Sequence, residues 1–101
     1  MKDKTLNLTL KWLPFEATAK GEKIIEVRKP SRWILSRLKG KDYENVKFTH
    51  GYGKNRPSVT LRYQGYTLAV ECAQFTFSNG LVVDVNPGDV LISIGQIIEL
   101  R

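Results

Sequence analysis

The amino-terminal part of the chain alternates between apolar and polar side chains with a period of two. In residues 6–12, a leucine or a tryptophan occupies every second position, which is typical of a strand with one buried face. Pro14 then stands where the first residue of a helix is common, and Gly21 where a left-handed cap ends one. We therefore predict a strand over residues 6–12 and a short helix at about 14–20.

A second strand and a second helix follow within the first 40 residues. Residues 24–28 are rich in β-branched side chains and are bounded by Pro30, which favours a short strand. Ser31 can cap a helix over residues 32–38, and Gly40 would end it. Both predicted helices therefore lie near the amino terminus.

In the rest of the chain, apolar and polar residues alternate as they do in strands. Strands are predicted over residues 46–49, 58–63, 81–85 and 90–100. Another strand is predicted between Gly65 and Asn79. Gln64-Gly65 predicts a turn, Asn79-Gly80 a hairpin, and residues 86–89 a further turn. The apolar phase shifts at Cys72-Ala73, which predicts a bulge that bends the strand. The pattern predicts a mainly β, α+β fold: a small curled sheet or barrel of about six strands.

Length and composition are those of one globular domain. The 101 residues are 42% hydrophobic and 26% charged, so we expect a single domain over residues 1–101 and no disorder. One cysteine and one histidine exclude an internal disulfide and a Cys/His zinc site, and we expect no metal or cofactor. We find neither a signal-peptide pattern nor an apolar run of about 20 residues. These features predict a small cytoplasmic protein with no membrane segment.

The basic charge of the chain is concentrated in one segment. Residues 20–41 contain eight basic and two acidic residues, so they account for the whole net charge of +6. A concentrated basic field attracts polyanions, of which nucleic acid is the commonest in a cell. The alternative is a solvated face that only aids solubility.

The densest polar group of that segment is Lys23, Glu26 and Arg28. Side chains two apart on a strand share a face, so we expect Glu26 and Arg28 to point into one cleft, with Lys23 reaching over it. Two cations around a carboxylate suit a phosphate or a base edge. The alternative is a surface ion-pair network of little energetic weight.

These residues carry a resemblance to a known family. A helix ending in Gly-x-Lys that leads into a strand with x-x-Glu-x-Arg resembles the signature of the ASCH domains of the PUA-like superfamily. The matching positions are Phe15, residues 19–28, Trp33, Arg37-Leu38, Lys41-Asp42-Tyr43, Val46, Gly51-Tyr52 and residues 63–66. The sequence is similar to a compact subgroup from bacteria and their phages. The resemblance implies a PUA-like β-barrel with a cleft beside the first helices and an association with RNA.

The resemblance also implies an enzymatic alternative. Some small ASCH proteins are amidohydrolases of N4-acetylcytidine that use a lysine, a threonine three residues later and a glutamate, and another member resembles a ribonuclease. Lys23 matches the lysine, but Glu26 stands where the threonine would be, which removes the hydroxyl nucleophile. Thr18, Ser31 or Thr49 would have to replace it. Otherwise Glu26 would activate water and Lys23 or Arg28 would stabilise the developing charge.

A second group of residues favours a nucleic-acid surface independently. No acidic residue occurs between Asn45 and Val70, a segment in which cations alternate with aromatic residues. Cations bind phosphates, and aromatic rings stack on unpaired bases. The cations and aromatic residues, with the one histidine, are Lys47, His50, Lys54, Arg56, Arg62, Phe48, Tyr52, Tyr63 and Tyr66. The alternative for Tyr63 and Tyr66 is a half-buried strand position, whereas Tyr52 stands between two glycines.

The sequence thus predicts an RNA- or nucleotide-binding domain with a basic cleft. Trp33 would be a stacking platform braced by Arg37 one turn later, or only an anchor over the core. The predicted binding residues are Lys20, Lys23, Glu26, Arg28, Trp33, Arg37, Tyr52, Lys54 and Arg56. The first alternative is a hydrolase of RNA or a modified nucleoside that uses Lys23 and Glu26. The second is a phage module for protein contact with an exposed apolar patch.

Overall fold

The computed structural model describes residues 5–51 and 55–101. In these residues 49% are in strands and 16% in helices, so the fold is mainly β. The elements in chain order are β1 Thr5–Leu10, α1 Trp12–Ala19, β2 Ile25–Arg28, α2 Arg32–Leu38, β3 Asn45–His50, β4 Ser58–Leu68, β5 Ala73–Thr76, β6 Val82–Val85 and β7 Val90–Leu100. The α+β class and the two helices near the amino terminus are as the sequence predicts.

Five strands form one curled sheet in the order β1-β3-β4-β7-β2. β1 runs parallel to β3, and the other neighbours are antiparallel. The long pair β4 and β7 changes register at three places between Thr60 and Tyr66. Each register shift bends the strands and increases their twist, so the sheet curls into a half-barrel with β1 and β2 as its two edges.

The concave face of the sheet holds the apolar core. The alternating leucines of β1 are buried, as are Val46 and Phe48 of β3. Both helices close over this face: Phe15 comes from α1, and Ile34 and Leu38 of α2 are buried, with Leu35 partly buried against the core. The core therefore fixes β1, α1 and α2 relative to one another, and these three elements surround the cleft described below.

The first helix begins two residues earlier than the sequence predicts. β1 ends at Leu10 and α1 starts at Trp12, so Trp12 is not the last inward residue of the strand and is 50% exposed. Pro14 lies within the first turn, where its missing N–H leaves no helical hydrogen bond unmade. The second helix matches its predicted bounds, and Ser31 caps it by accepting a hydrogen bond from the Ile34 main-chain N–H.

The predicted turn at Gln64-Gly65 is wrong, because β4 continues through it to Leu68. Between Tyr63 and Tyr66 the strand holds one more residue than its partner β7. Gly65 absorbs this bulge with a φ of +95°, which a residue without a Cβ adopts without strain. A sequence of glutamine and glycine fits either a turn or a bulge, and here pairing with β7 decides between them.

The predicted bulge at Cys72-Ala73 is also wrong. β4 ends at Leu68, and a new strand β5 begins at Ala73 in a separate two-stranded sheet with β6. The apolar phase shifts because two strands, not one bent strand, occupy this stretch. In residues 5–51 and 55–101 the structure describes seven strands, against a predicted total of about six.

The β5-β6 hairpin turns at Asn79-Gly80, as the sequence predicts, with a φ of +89° at Gly80. Its tip is tied to the first helix region. The Glu22 carboxylate accepts hydrogen bonds of 2.7 and 2.8 Å from the main-chain N–H and hydroxyl of Ser78. The Asn79 side chain donates to the main-chain oxygen of Leu13 and to Glu16. Polar contacts at the tip therefore fix the hairpin beside α1.

Candidate ligand-binding cleft

A cleft of about 770 Å³ lies where the two edges of the curled sheet come together. Its wall on one side is β1 and the start of α1, and on the other it is the end of β2 and the exposed face of α2. The lining residues are Asn7, Leu8, Thr9, Leu10, Lys11, Trp12, Arg28, Trp33, Arg37, His50 and Gly51. Arg28, Trp33 and Arg37, three of the predicted binding residues, line this one cleft.

The Arg28 side chain spans the gap between the two edge strands. Its Nε donates a hydrogen bond of 2.6 Å to Glu26 Oε2, and one terminal nitrogen donates a bond of 2.9 Å to the main-chain oxygen of Thr9. The side chain is 26% exposed. A guanidinium has five N–H donors, so these two bonds fix its orientation and leave donors for a ligand.

Lys23 and Glu26 lie behind Arg28 and not on the surface of the cleft. Their exposed fractions are 2% and 4%. Lys23 donates from Nζ to Glu26 Oε1, and the same Nζ is 5.9 Å from the centre of the Phe48 ring. A buried charge needs a partner of opposite sign, and Glu26 serves both cations. The expectation that all three side chains face the cleft is therefore corrected: Arg28 lines the cleft, while Lys23 and Glu26 support it from inside.

Two half-exposed tryptophans give the cleft its aromatic surface. Trp12 is 50% and Trp33 52% exposed, so each has a ring face available to a ligand. The predicted contact between Trp33 and Arg37 is confirmed: the guanidinium carbon lies 5.2 Å from the ring centre. This spacing is that of a cation–π contact, which holds the Trp33 ring and the Arg37 charge together at the rim.

The His50 ring lines the cleft and is held by a main-chain oxygen. Its Nδ1 lies 3.2 Å from the main-chain oxygen of Leu10. A carbonyl oxygen only accepts, so His50 Nδ1 donates in this contact. The Trp12 ring meets the histidine ring edge-on at 5.4 Å between centres. His50 therefore lies against the aromatic surface of the cleft with its orientation fixed by Leu10 and Trp12.

The other predicted binding residues lie outside the cleft lining or outside the described part of the chain. Lys20 is exposed at the end of α1 and does not line the cleft. Arg56 donates a bond of 2.9 Å to the main-chain oxygen of Gly51, a lining residue, but its own side chain borders a neighbouring cavity. Tyr52 and Lys54 fall in residues 52–54, which the structure does not describe.

Tyr63 and Tyr66 pack against the core, which agrees with the alternative interpretation that they occupy half-buried strand positions. The Tyr63 ring meets Tyr43 edge-on at 5.3 Å between centres. Burial raises the pKa of the Tyr63 hydroxyl, and the neighbouring phenols of Tyr43 and Tyr66 add to the increase. These rings are therefore structural in the described protein and are not part of the cleft.

Sequence reasoning missed the contribution of β1 and the start of α1. Asn7, Thr9 and Lys11 were the polar positions of the first strand, and Trp12 was assigned to its buried face. The polar period showed that Asn7 and Thr9 face away from the core, but it did not identify what they face. That depends on the approach of β2 to β1, which joins residues far apart in sequence.

No family model, no curated protein and no solved structure matches this chain. In residues 5–51 and 55–101, no group of three histidine, cysteine, aspartate or glutamate side chains is arranged to hold a metal ion. Neither described helix is long and apolar enough to cross a membrane.

Proposed function

We propose that this protein binds single-stranded RNA, or a nucleotide derived from it, in the cleft between β1 and α2. The observation that carries the proposal is the presence of two arginines and two half-exposed tryptophans in one cleft. Arginine pairs with phosphate through parallel N–H bonds. Tryptophan faces stack on bases, for about 1–3 kcal/mol per base.

The state of Arg28 supports this function in particular. Because Glu26 and Thr9 fix its guanidinium, the residue loses little side-chain freedom when a phosphate binds. Bases in a duplex are already stacked on each other and do not offer their faces to a tryptophan. An unpaired nucleotide therefore fits the cleft better than a double strand.

Two further points belong to this proposal: the fold family and the location of the protein in the cell. We propose that the half-barrel is a PUA-like barrel of the ASCH type and that the protein acts in the cytoplasm. The support is the order of the elements: a helix leads through Gly21 and Lys23 into a strand that bears Glu26 and Arg28. This is the segment on which the sequence resemblance depends.

The hydrolase alternative requires Lys23 or Glu26 to reach a substrate. Both side chains are almost fully buried and engaged with each other, so their positions fit a supporting role beneath Arg28 better than proton transfer. We therefore place hydrolysis second. Turnover that is lost in Glu26→Gln while binding persists would reverse this order.

The protein-contact alternative expects exposed apolar side chains. Val70, Phe75 and Val82, in and before the hairpin, are 85%, 41% and 50% exposed. That alternative also expects RNA binding to be weak and unsaturable, so the experiment that tests the proposed function separates the two.

The test is a titration with a fluorescein-labelled eight-residue oligouridylate, followed by fluorescence anisotropy at 50 and 200 mM salt. Saturable binding that weakens as salt rises is the expected result, because phosphate contacts release counterions. The samples are then run on a denaturing gel to detect cleavage. No saturation at 50 mM salt would contradict the proposal, and shortened RNA would move the hydrolase alternative to first place.

A further inference from the structure

A second, smaller cavity of about 220 Å³ lies beside the cleft, on the outer face of the sheet where β3, β4 and the last residue of the chain meet. Its lining is entirely polar or charged: Lys47, Thr49, Asn55, Arg56, Ser58 and Arg101. Three of these six side chains are cations. Lys47 and Thr49 belong to β3, and Ser58 begins β4.

The charge of this cavity is only partly neutralised. Arg101 is paired with Glu99, with nitrogen–oxygen distances of 3.1 and 3.3 Å, and Arg56 donates to the Gly51 oxygen. Lys47 has no ion pair with any residue in 5–51 or 55–101. The lining therefore supplies three cations, of which only Arg101 is paired with a carboxylate, and a surface site of this kind favours an anionic ligand.

The cavity adjoins the β1 side of the cleft across the parallel pair of β1 and β3. In the parallel pair of β1 and β3, Asn7 stands opposite Lys47 and Thr9 opposite Thr49, so these four side chains point the same way. Asn7 and Thr9 line the cleft, while Lys47 and Thr49 line the cavity. Arg56 makes a second link through its bond to Gly51.

We propose that this cavity is a phosphate subsite for a nucleic-acid backbone that continues from the cleft. This inference rests on the proposed function and adds the size of the ligand: an oligonucleotide that reaches past the base-stacking cleft, not a mononucleotide. A single strand carries one negative charge per nucleotide, and each neutralised phosphate contributes about 0.7 to the slope of log affinity against log salt. The subsite contacts phosphate alone, so it does not distinguish RNA from single-stranded DNA.

The test compares two probe lengths on the whole protein. The double variant Lys47→Gln, Arg101→Gln removes two cations of the subsite, and Lys39→Gln removes an exposed cation that lines neither cavity. Probes are labelled uridine dinucleotide, the eight-residue oligouridylate and the deoxythymidine strand of the same length. We expect the double variant to bind both long strands roughly tenfold more weakly, with a salt slope lower by about 1.4. Its affinity for the dinucleotide should match that of the unaltered protein.

A charge-conserving variant, Lys47→Arg with Arg101→Lys, should keep the affinity for the long strands, and equal urea midpoints establish that all variants are folded. If the double variant binds the long strands as Lys39→Gln does, the subsite is wrong while the proposed function stands. The same conclusion follows if both probe lengths weaken equally. If the unaltered protein binds neither the dinucleotide nor the long strand, the proposed function itself fails, and the subsite with it.

Discussion

The Arg28 guanidinium on β2 donates a hydrogen bond of 2.9 Å to the main-chain oxygen of Thr9 on β1. These strands are the two edges of the five-stranded sheet. In the described structure they are not paired through main-chain hydrogen bonds, so the Arg28 side chain connects them. An edge strand exposes unpaired N–H and C=O groups. Arg28 satisfies one of them and at the same time keeps donors available in the cleft. It therefore stabilises the curled sheet and belongs to the candidate binding site.

Replacing Arg28 should weaken RNA binding strongly. Arg28→Ala removes charge-assisted bonds to a phosphate, worth about 1.5–3 kcal/mol, so we expect the dissociation constant of the eight-residue oligouridylate to rise roughly 10- to 150-fold. Arg28→Lys keeps the charge but cannot bridge Glu26 and Thr9 at once, and it should recover only a small part. Anisotropy titrations measure both, with Lys39→Gln as the matched surface control. Equal affinity of Arg28→Ala and the control would remove Arg28 from the site.

Breaking the buried ion pairs should destabilise the fold more than breaking an exposed ion pair does. Glu26→Leu leaves the Lys23 ammonium buried without its carboxylate, which should lower the free energy of unfolding by about 3–5 kcal/mol. Adding Lys23→Met to this variant removes the uncompensated charge and should restore much of the loss. Urea unfolding measures each variant. Glu99→Gln, which breaks the exposed pair with Arg101, is the control and should cost at most about 1 kcal/mol.

Tryptophan fluorescence should report binding directly, because the chain has two tryptophans and both line the cleft. Stacking on an unpaired base should quench the emission. Trp33→Ala should weaken binding by about 1–3 kcal/mol, whereas Trp33→Phe, which keeps an aromatic face, should lose much less. The same comparison applies to Trp12. No quenching of the unaltered protein, or unchanged affinity in both alanine variants, would contradict stacking in this cleft.

Stability should fall in acid as two carboxyl groups take up protons. The Asn86 main-chain N–H, and after it the Lys29 ammonium, lower the pKa of Asp89 from its ordinary 3.8. Hydrogen bonds from Ser78 likewise lower the pKa of Glu22 from 4.5. A folded-state pKa below the unfolded value stabilises the fold above the unfolded pKa, and this is lost as pH falls through the folded pKa.

Urea midpoints between pH 7 and pH 2.5 check this dependence. Asp89→Asn should be less stable than the unaltered protein near neutral pH, and the difference should shrink steadily below about pH 4. Glu22→Gln should behave in the same way through its contact with Ser78. A difference that stays constant over the whole range would mean that the charge of these groups does not stabilise the fold.

Local signals predicted the elements whose structure depends on neighbours in sequence. Ser31 and the apolar spacing after it defined α2 to the residue, and Asn79-Gly80 defined the hairpin. The failures were at places where distant pairing decides. Gly65 lies in a bulge because β7 pairs on both sides of it, and the stretch before Ala73 separates two sheets. Trp12 was misplaced because a strand period continued by chance into the first turn of a helix.

What the sequence determined by itself was the class of fold, the concentration of basic charge, and the Lys23, Glu26 and Arg28 group with Trp33 one helix later. Periodicity, capping and composition are properties of the chain alone. The tertiary structure decided which of these groups face a ligand. Burial of Lys23 and Glu26, and the arrival of Trp12 and His50 beside Arg28, follow from the curling of the sheet, which brings β1 and β2 together across the closed core. Such contacts join residues distant in sequence, and no local pattern encodes them.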